Sequence, residues 1–478
     1  MQRKFTQIIL FVVFLNACLL FKTAFSAEEN KLTLFTPVAK NDRIMILSPH
    51  PDDEAIACAG IIQEAVSKGA QVRVVYLTNG DHNQLAFIVY EKRLTLRQGE
   101  FIHMGRVRQQ EAIDAMKLLG VGKENLIFLG YPDFGTFSIF TRYWQSKKPF
   151  RSMLTRISEV PYKENFSFGA SYEPESILRD LEAIIADYKP NKIFVSHPGD
   201  TNVDHKALYL FLQIALLDLQ DKIPAPKVYP YLVHCLGWPL PRHYHPELSL
   251  DPPRQFQGSS INWVKFELTP EQLEKKNRAI LCYRSQTSSS AFYLLSFARK
   301  NELFGDYPEV ELEKQVSLKE RAVSFFGFSY LFKDFGRDLL GEQNAQDFGN
   351  NKDRVSYAVV DNSVFVRIEK SVESNRRLMV QLYLFGYSSK VPFALMPKIR
   401  IVARGNKIDV YNQNTKIKSD TVSSEMTPKI FTIKVPLGLL GNPDIVITSI
   451  RSFGDVLSMD VTGFRKLVIK EGGRNAGS

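Results

Sequence analysis

Apolar positions along the chain fall into two regimes. Up to about residue 220, short apolar runs alternate with longer stretches whose apolar residues recur every three to four positions. The runs at 43–47 (RIMIL), 71–77 (QVRVVYL), 125–129 and 192–196 (KIFVS) predict buried strands. The stretches at 55–68, 108–119, 175–188 and 204–219 carry helical spacing, and the first two end at Gly69 and Gly120. Strands alternating with helices predict βαβ units. The expected fold is α/β: a Rossmann-like, mostly parallel sheet with helices on both faces. Two connections, 81–105 and 134–172, are longer than ordinary βα loops. The second is rich in aromatics, among them Phe134, Phe137, Phe140, Trp144, Phe166 and Phe168. It reads equally as a lid on which sugar rings stack or as a helical excursion with its own small core.

After residue 350 the regime changes. Strand-like runs at 355–360, 364–368, 378–385, 398–402, 430–435, 445–450 and 467–469 are punctuated by turn residues such as Asp361-Asn362 and Gly441-Asn442-Pro443. This predicts an all-β sandwich over 353–478, joined through a Gly-, Asn-, Gln- and Asp-rich linker at 341–352. A first domain would then occupy 27–340. No internal repeat stands out.

The amino terminus reads as an address. Arg3 and Lys4 precede an apolar run at 8–21 interrupted only by Asn16, and Ala24-Phe25-Ser26 follows. That pattern predicts a signal peptide over 1–26 and an exported, periplasmic or secreted, product. An uncleaved anchor is the alternative, although the run is short for a membrane span. Cys58, Cys235 and Cys282 remain, too few and too scattered for a disulfide framework.

Composition sharpens this picture. The 478 residues suffice for two or three domains, and 44% apolar with 23% charged residues is a globular mixture. The net charge of +10 is unevenly held: +3 in residues 1–26, +9 in 351–478, and −2 in the rest. A slightly acidic middle argues against a nucleic-acid enzyme with a basic cleft. The basic β domain suits an anionic glycan or a membrane surface, or carries ordinary surface lysines.

The chemistry concentrates in two motifs. Ser48-Pro49-His50-Pro51-Asp52-Asp53-Glu54 lies where the first strand ends and the first helix begins. In open α/β sheets, ligands bind beyond the carboxyl ends of the strands. One imidazole with adjacent carboxylates suits zinc, which takes nitrogen and oxygen ligands. Plain N-capping would explain one of these acids but not His50 with both. The second motif, Ser196-His197-Pro198-Gly199-Asp200-Thr201-Asn202-Val203-Asp204-His205, also follows a strand and opens a helix. His205 could complete a two-nitrogen, one-carboxylate site.

HPDDE after the first strand, with DxNxDH late in the domain, resembles the PIG-L/LmbE family of zinc-dependent N-deacetylases. Supporting matches include Leu77-Thr78-Asn79-Gly80, Arg108-Gln109-Gln110-Glu111, Leu129-Gly130-Tyr131-Pro132-Asp133, Tyr231-Leu232-Val233-His234 and Tyr283-Arg284-Ser285-Gln286. The resemblance implies an LmbE-like fold and one Zn2+ held by His50, Asp53 and His205. It implies Asp52 as the general base and an N-acetylglucosamine-like sugar or glycoconjugate as substrate. Asp133 would bind sugar hydroxyls, and Arg108 would shape the pocket unless it merely pairs with Glu111. Many members have a histidine where this chain has Asn202, which can donate a hydrogen bond but cannot titrate. His234 is the expected substitute as catalytic acid, with a buried structural imidazole as the alternative. Histidine and carboxylate also suit iron(II). The rival functions are a zinc amidase on another N-acyl substrate and a glycan-binding protein that lost activity.

Overall fold

The computed structural model describes residues 32–92, 97–256, 259–315, 346–348, 353–369, 378–404, 407–454 and 457–471. The expected signal peptide and most of the expected linker lie outside them. Among the described residues, no helix is long and apolar enough to cross a membrane.

The first sheet has eight described strands: β1 (Thr33–Leu34), β2 (Arg43–Ser48), β3 (Gln71–Thr78), β4 (Leu126–Tyr131), β5 (Lys192–Ser196), β6 (Lys227–Tyr231), β7 (Asn262–Glu267) and β8 (Asn301–Asp306). Their order is β1-β7-β8-β6-β5-β2-β3-β4. The five strands from β6 to β4 are mutually parallel, and β8 runs antiparallel to both its neighbours. The chain steps outward from β2 to β3 and β4, then returns to the other side of β2 for β5 and β6. A switch point therefore lies between β2 and β5, where α/β sheets open a crevice.

Eight described helices accompany this sheet: α1 (Asp53–Lys68), α2 (Gln84–Glu91), α3 (Gln98–Leu119), α4 (Thr136–Arg142), α5 (Pro174–Tyr188), α6 (Val203–Asp218), α7 (Pro270–Leu281) and α8 (Arg284–Leu294). Alternate residues of β2 enter different cores. Ile44 and Ile46 pack with α1 and α3, while Met45 and Leu47 pack with α5 and α6. Both faces of the sheet are covered, which is why its strands read as continuous apolar runs. Gly69 and Gly120 end α1 and α3 in the left-handed conformation, as their positions suggested.

Two expectations change. The helix expected at 108–119 begins at Gln98, and α2 fills part of the long connection before it. Polar Arg106, Gln109 and Gln110 dilute the periodicity, but Phe101, Met104, Ala112 and Met116 continue one buried face. The aromatic segment is mostly core rather than lid: Phe140, Trp144, Tyr162 and Tyr172 are buried. Of its large apolar residues, Phe134, Phe166 and Phe168 keep about half their surface exposed, and Met153 keeps 73%.

The C-terminal part forms a second large sheet of thirteen described strands. Every strand expected there is present. Its halves share one core, in which Val364 and Val366 meet Val380, Leu382, Ile399 and Ile401. Between the halves runs β9 (Val310–Gln315), pairing in parallel with Arg465–Lys470 on one side and Asp353–Val360 on the other. This strand precedes the boundary expected near 341–352, and Gln346–Phe348, inside that expected linker, is itself a strand. In VELEKQ only Val310 and Leu312 face the core, so the alternation was too short to read.

Candidate active site

Every candidate residue except Arg108, which lies within α3, follows the carboxyl end of a parallel strand. His50, Asp52 and Asp53 follow β2. Asp81 follows β3, Asp133 follows β4, Asp200 to His205 follow β5, and His234 follows β6. Backbone ties lock these loops together. Thr78 N donates to Pro49 O (3.1 Å), His197 N to Tyr231 O (2.6 Å), and Thr201 N to His234 O (2.9 Å).

His50, Asp53 and His205 converge and are buried. Asp53 Oδ2 stands 3.2 Å from His50 Nδ1 and 3.1 Å from His205 Nε2. Ligand atoms around a tetrahedral zinc with bonds of about 2.0–2.1 Å lie roughly 3.3 Å apart, so these separations fit such an ion. Each imidazole is backed by carboxylate on its other nitrogen. Asp200 Oδ2 lies 3.1 Å from His205 Nδ1, while Asp133 Oδ1 and Asp204 Oδ2 lie 3.2 and 3.4 Å from His50 Nε2. Such outer carboxylates fix the tautomer that offers the inner nitrogen to a metal. His205 itself makes no hydrogen bond of good geometry from either ring nitrogen, although fully buried. Buried polar atoms without partners are costly, and a cation at Nε2 resolves this one.

A second grouping, His50 with Asp133 and Asp204, is also close enough to hold an ion. Asp204, however, is already occupied. It accepts from Phe134 N (2.6 Å), Thr136 N (3.2 Å) and the Thr136 hydroxyl, and so anchors the start of α4. The first triad is the better metal site.

Electrostatics agree. Burial disfavours a charged His50, yet Asp133, Asp204 and Asp53 together push its pKa well above the usual value. Burial likewise opposes the charge on His205, and Asp200 and Asp53 overcome it, raising the pKa to about 9. Burial would raise Asp53, but His205 and His50 hold it well below the usual carboxylate range. The pocket thus demands positive charge at its centre, which a metal supplies.

Asp52 stands beside the triad in a strained backbone, with φ 129° and ψ −31°, a conformation that non-glycine residues rarely adopt. It begins α1, yet its side chain caps nothing, so capping does not account for it. Its carboxylate instead receives Arg108 Nη2 at 3.2 Å. Burial raises its pKa to about 7, with Arg108 opposing and Asp53 and Glu54 reinforcing. Glu54 is buried behind it, accepting from Asp52 N (3.1 Å) and from the Tyr283 hydroxyl, and burial raises it too to about 7.

Three expected substrate contacts differ. Arg108 is buried and spends its guanidinium on the chain itself, donating also to Pro51 O (2.7 Å) and Gly80 O (2.9 Å). Gly80, at φ +66°, admits it because a Cβ there would collide with the Arg108 guanidinium. Glu111 ignores Arg108 and accepts from Ser285 N (2.7 Å) and Oγ (2.6 Å). Asp133 faces His50 and accepts from His82 N (3.0 Å). Asn202 caps α6, its Oδ1 accepting from Asp204 N (2.8 Å). His234 stands against the triad, its ring centroid 4.7 Å from that of His205. Burial first, and the neighbouring imidazoles, lower its pKa to about 4 against the pull of Asp200. Asp200 and Asp204 lie in the second motif, but only their placement behind the imidazoles reveals their part.

Residues 45–216, which hold every member of the triad, match the family model PIG-L, described as GlcNAc-PI de-N-acetylase. This stretch is a PIG-L family domain. Beyond it, the chain is 23% identical over 243 residues to a 1D-myo-inositol 2-acetamido-2-deoxy-alpha-D-glucopyranoside deacetylase of Mycobacterium sp. strain KMS. That match covers 48% of this chain and 67% of the relative. A mycothiol S-conjugate amidase of Streptomyces coelicolor is 33% identical over 93 residues, 20% of this chain and 29% of the relative. Among solved structures, the N,N'-diacetylchitobiose deacetylase from Pyrococcus horikoshii aligns over 59% of this chain and 91% of its own, at 19% identity and a TM-score of 0.33. The PIG-L domain ends within α6, so β6 to β8 and the second sheet lie outside the matched stretch.

Proposed function

We propose that this chain is an exported, zinc-dependent deacetylase that removes the acetyl group from an N-acetylated sugar in a glycan or glycoconjugate. The observation that carries the reading is the buried His50–Asp53–His205 triad with Asp52, a carboxylate of pKa about 7, beside it. The PIG-L match and the deacetylase names of its relatives support the substrate class. A zinc ion held there would acidify water and polarise the acetyl carbonyl. Asp52, held by Arg108, takes the proton of the attacking water and passes it to the leaving amine. His234, neutral near pH 7, donates a hydrogen bond to the oxygen that gains charge. Phe134, exposed beside Asp133 with its ring 5.1 Å from that of His82, offers a face for the sugar.

The test is acetate release from N-acetylglucosamine, N,N'-diacetylchitobiose and longer N-acetylated glycans by zinc-loaded protein. Turnover that disappears with chelation and with Asp52→Asn supports the proposal. Stoichiometric zinc without acetate from any of these compounds overturns it. Turnover only of N-acyl compounds lacking a sugar would favour an amidase, a reading to which the amidase relative gives some weight.

A further inference from the structure

A cavity of about 1240 Å³ lies between the part of the chain that carries the first sheet and the second sheet. Three of its lining residues are chain neighbours of site residues: Thr201 beside Asp200, Lys206 beside His205, and Cys235 beside His234. Both parts of the chain build it. Phe137 from α4 meets Tyr383 and Phe464 from the second sheet, with ring centroids 5.8 and 6.2 Å away, forming an aromatic floor at the seam. Both parts also supply cationic lining: Arg142, Lys206, Arg254 and Arg299 come from the first part and Arg451 from the second. Asp251 is the single acid in that lining. Arg142, Arg254 and Arg451 are exposed at its walls.

We propose that this cleft binds the anionic sugars flanking the N-acetyl sugar to be deacetylated, so that the substrate is a negatively charged oligosaccharide or polymer. The inference rests on the deacetylase reading above and adds a substrate class to it. The volume exceeds the roughly 300–1,000 Å³ that holds a drug-sized ligand, so several sugar units fit. Arginine forks match the paired oxygens of carboxylate and phosphate alike. Aromatic faces accept the apolar faces of sugar rings. The slightly acidic middle of the sequence hides this site, because cations from both parts of the chain gather only on folding.

The test compares binding and deacetylation of three tetrasaccharides by the zinc-loaded full chain. They are neutral tetra-N-acetylchitotetraose, a glucuronate-containing heparosan tetrasaccharide, and a phosphodiester-linked N-acetylglucosamine tetramer. At low salt, one or both anionic ligands should bind on the order of tenfold or more tighter than the neutral one, and that gain should vanish in 0.5 M salt. Which anion wins distinguishes carboxylate from phosphate. The triple variant R142A/R254A/R451A should lose the gain, yet keep its zinc content and its turnover of N,N'-diacetylchitobiose. Equal binding of neutral and anionic ligands, or unchanged binding by the triple variant, overturns the proposal. So does equally tight binding of the oligonucleotide dT12, which would make the cleft a nucleic-acid surface. If no acetate is released from any compound, the deacetylase reading falls. The binding comparison then still decides the cleft.

Discussion

The strained Asp52 sits where three demands meet: it must open α1, stand beside the triad and receive Arg108. Its raised pKa has a direct kinetic consequence. As a base it works only when ionised, so kcat/KM should rise with pH through about 7 and level off above it. Asp52→Asn should abolish that rise along with most of the activity. His234→Gln should lower the rate by about 10²-fold with zinc content intact. A near-normal rate would end the hydrogen-bonding role given to His234. Asp200 makes a different kind of claim. It contacts His205 and the backbone N–H of Val233 and His234, at 3.1 and 2.9 Å, so it orients a ligand and fixes a loop together. Asp200→Asn should weaken zinc affinity by about 10–100-fold, measured by competition with a chromogenic chelator. His50, Asp52, Asp53 and His205 were legible in the sequence because an imidazole with adjacent acids at strand ends is costly to bury unless it binds something. Arg108, Asp133 and Asn202 were not, because their side chains answer to backbone and imidazole partners that only tertiary structure supplies.

At the scale of elements, α1 carries half the site, and its seat decides whether the site forms. Glu302 on β8 accepts from Gly60 N (2.7 Å) and Ile61 N (3.1 Å) in the middle of α1, and from Lys276 Nζ of α7 at 2.9 Å. All three partners are buried. Gly60 permits the approach, since a Cβ there would lie about 3.0 Å from Leu268 and 3.1 Å from the Glu302 carboxylate. Removing one partner of such a pair strands a buried charge. Lys276→Met should therefore destabilise the protein by about 3–5 kcal/mol in denaturant titrations. Adding Glu302→Leu should recover part of that loss, because no lone charge remains. Strands with continuous apolar runs were readable from sequence, and so were helices with a clean stripe and a terminal glycine. α7 and α8 were not: α7 is strongly charged, α8 is rich in serine, and few of their residues face the core. β7 and β8 escaped because they mix polar and apolar residues where they close the sheet beside β6, even though most of β8 is buried.

The whole molecule is held by an aromatic seam. Phe140 of α4 and Phe211 of α6 lie 4.9 Å apart by ring centroids, and Phe385 and Phe393 of the second sheet reach Phe140 at 5.3 and 5.8 Å. Trp144 lies 5.0 Å from Phe393, and the ammonium of Lys398 sits 3.9 Å over the Phe393 ring. These residues share one core with β2 and α5, so the second sheet completes the apolar face of the PIG-L domain. Part of the 134–172 segment serves this seam: Phe137, Phe140 and Trp144 are the surface on which the second sheet rests. Two linked bodies with independent cores would unfold in separate steps, whereas a shared core couples them. Calorimetry of the full chain should therefore show one cooperative transition. Phe393→Ala should lower stability by about 3–5 kcal/mol as a single shifted transition. Two resolved transitions, with the variant moving only one, would mean that the seam is contact without coupling. In that case the cationic cleft beside it would have a movable wall, and anionic ligand held by both parts should raise both transitions.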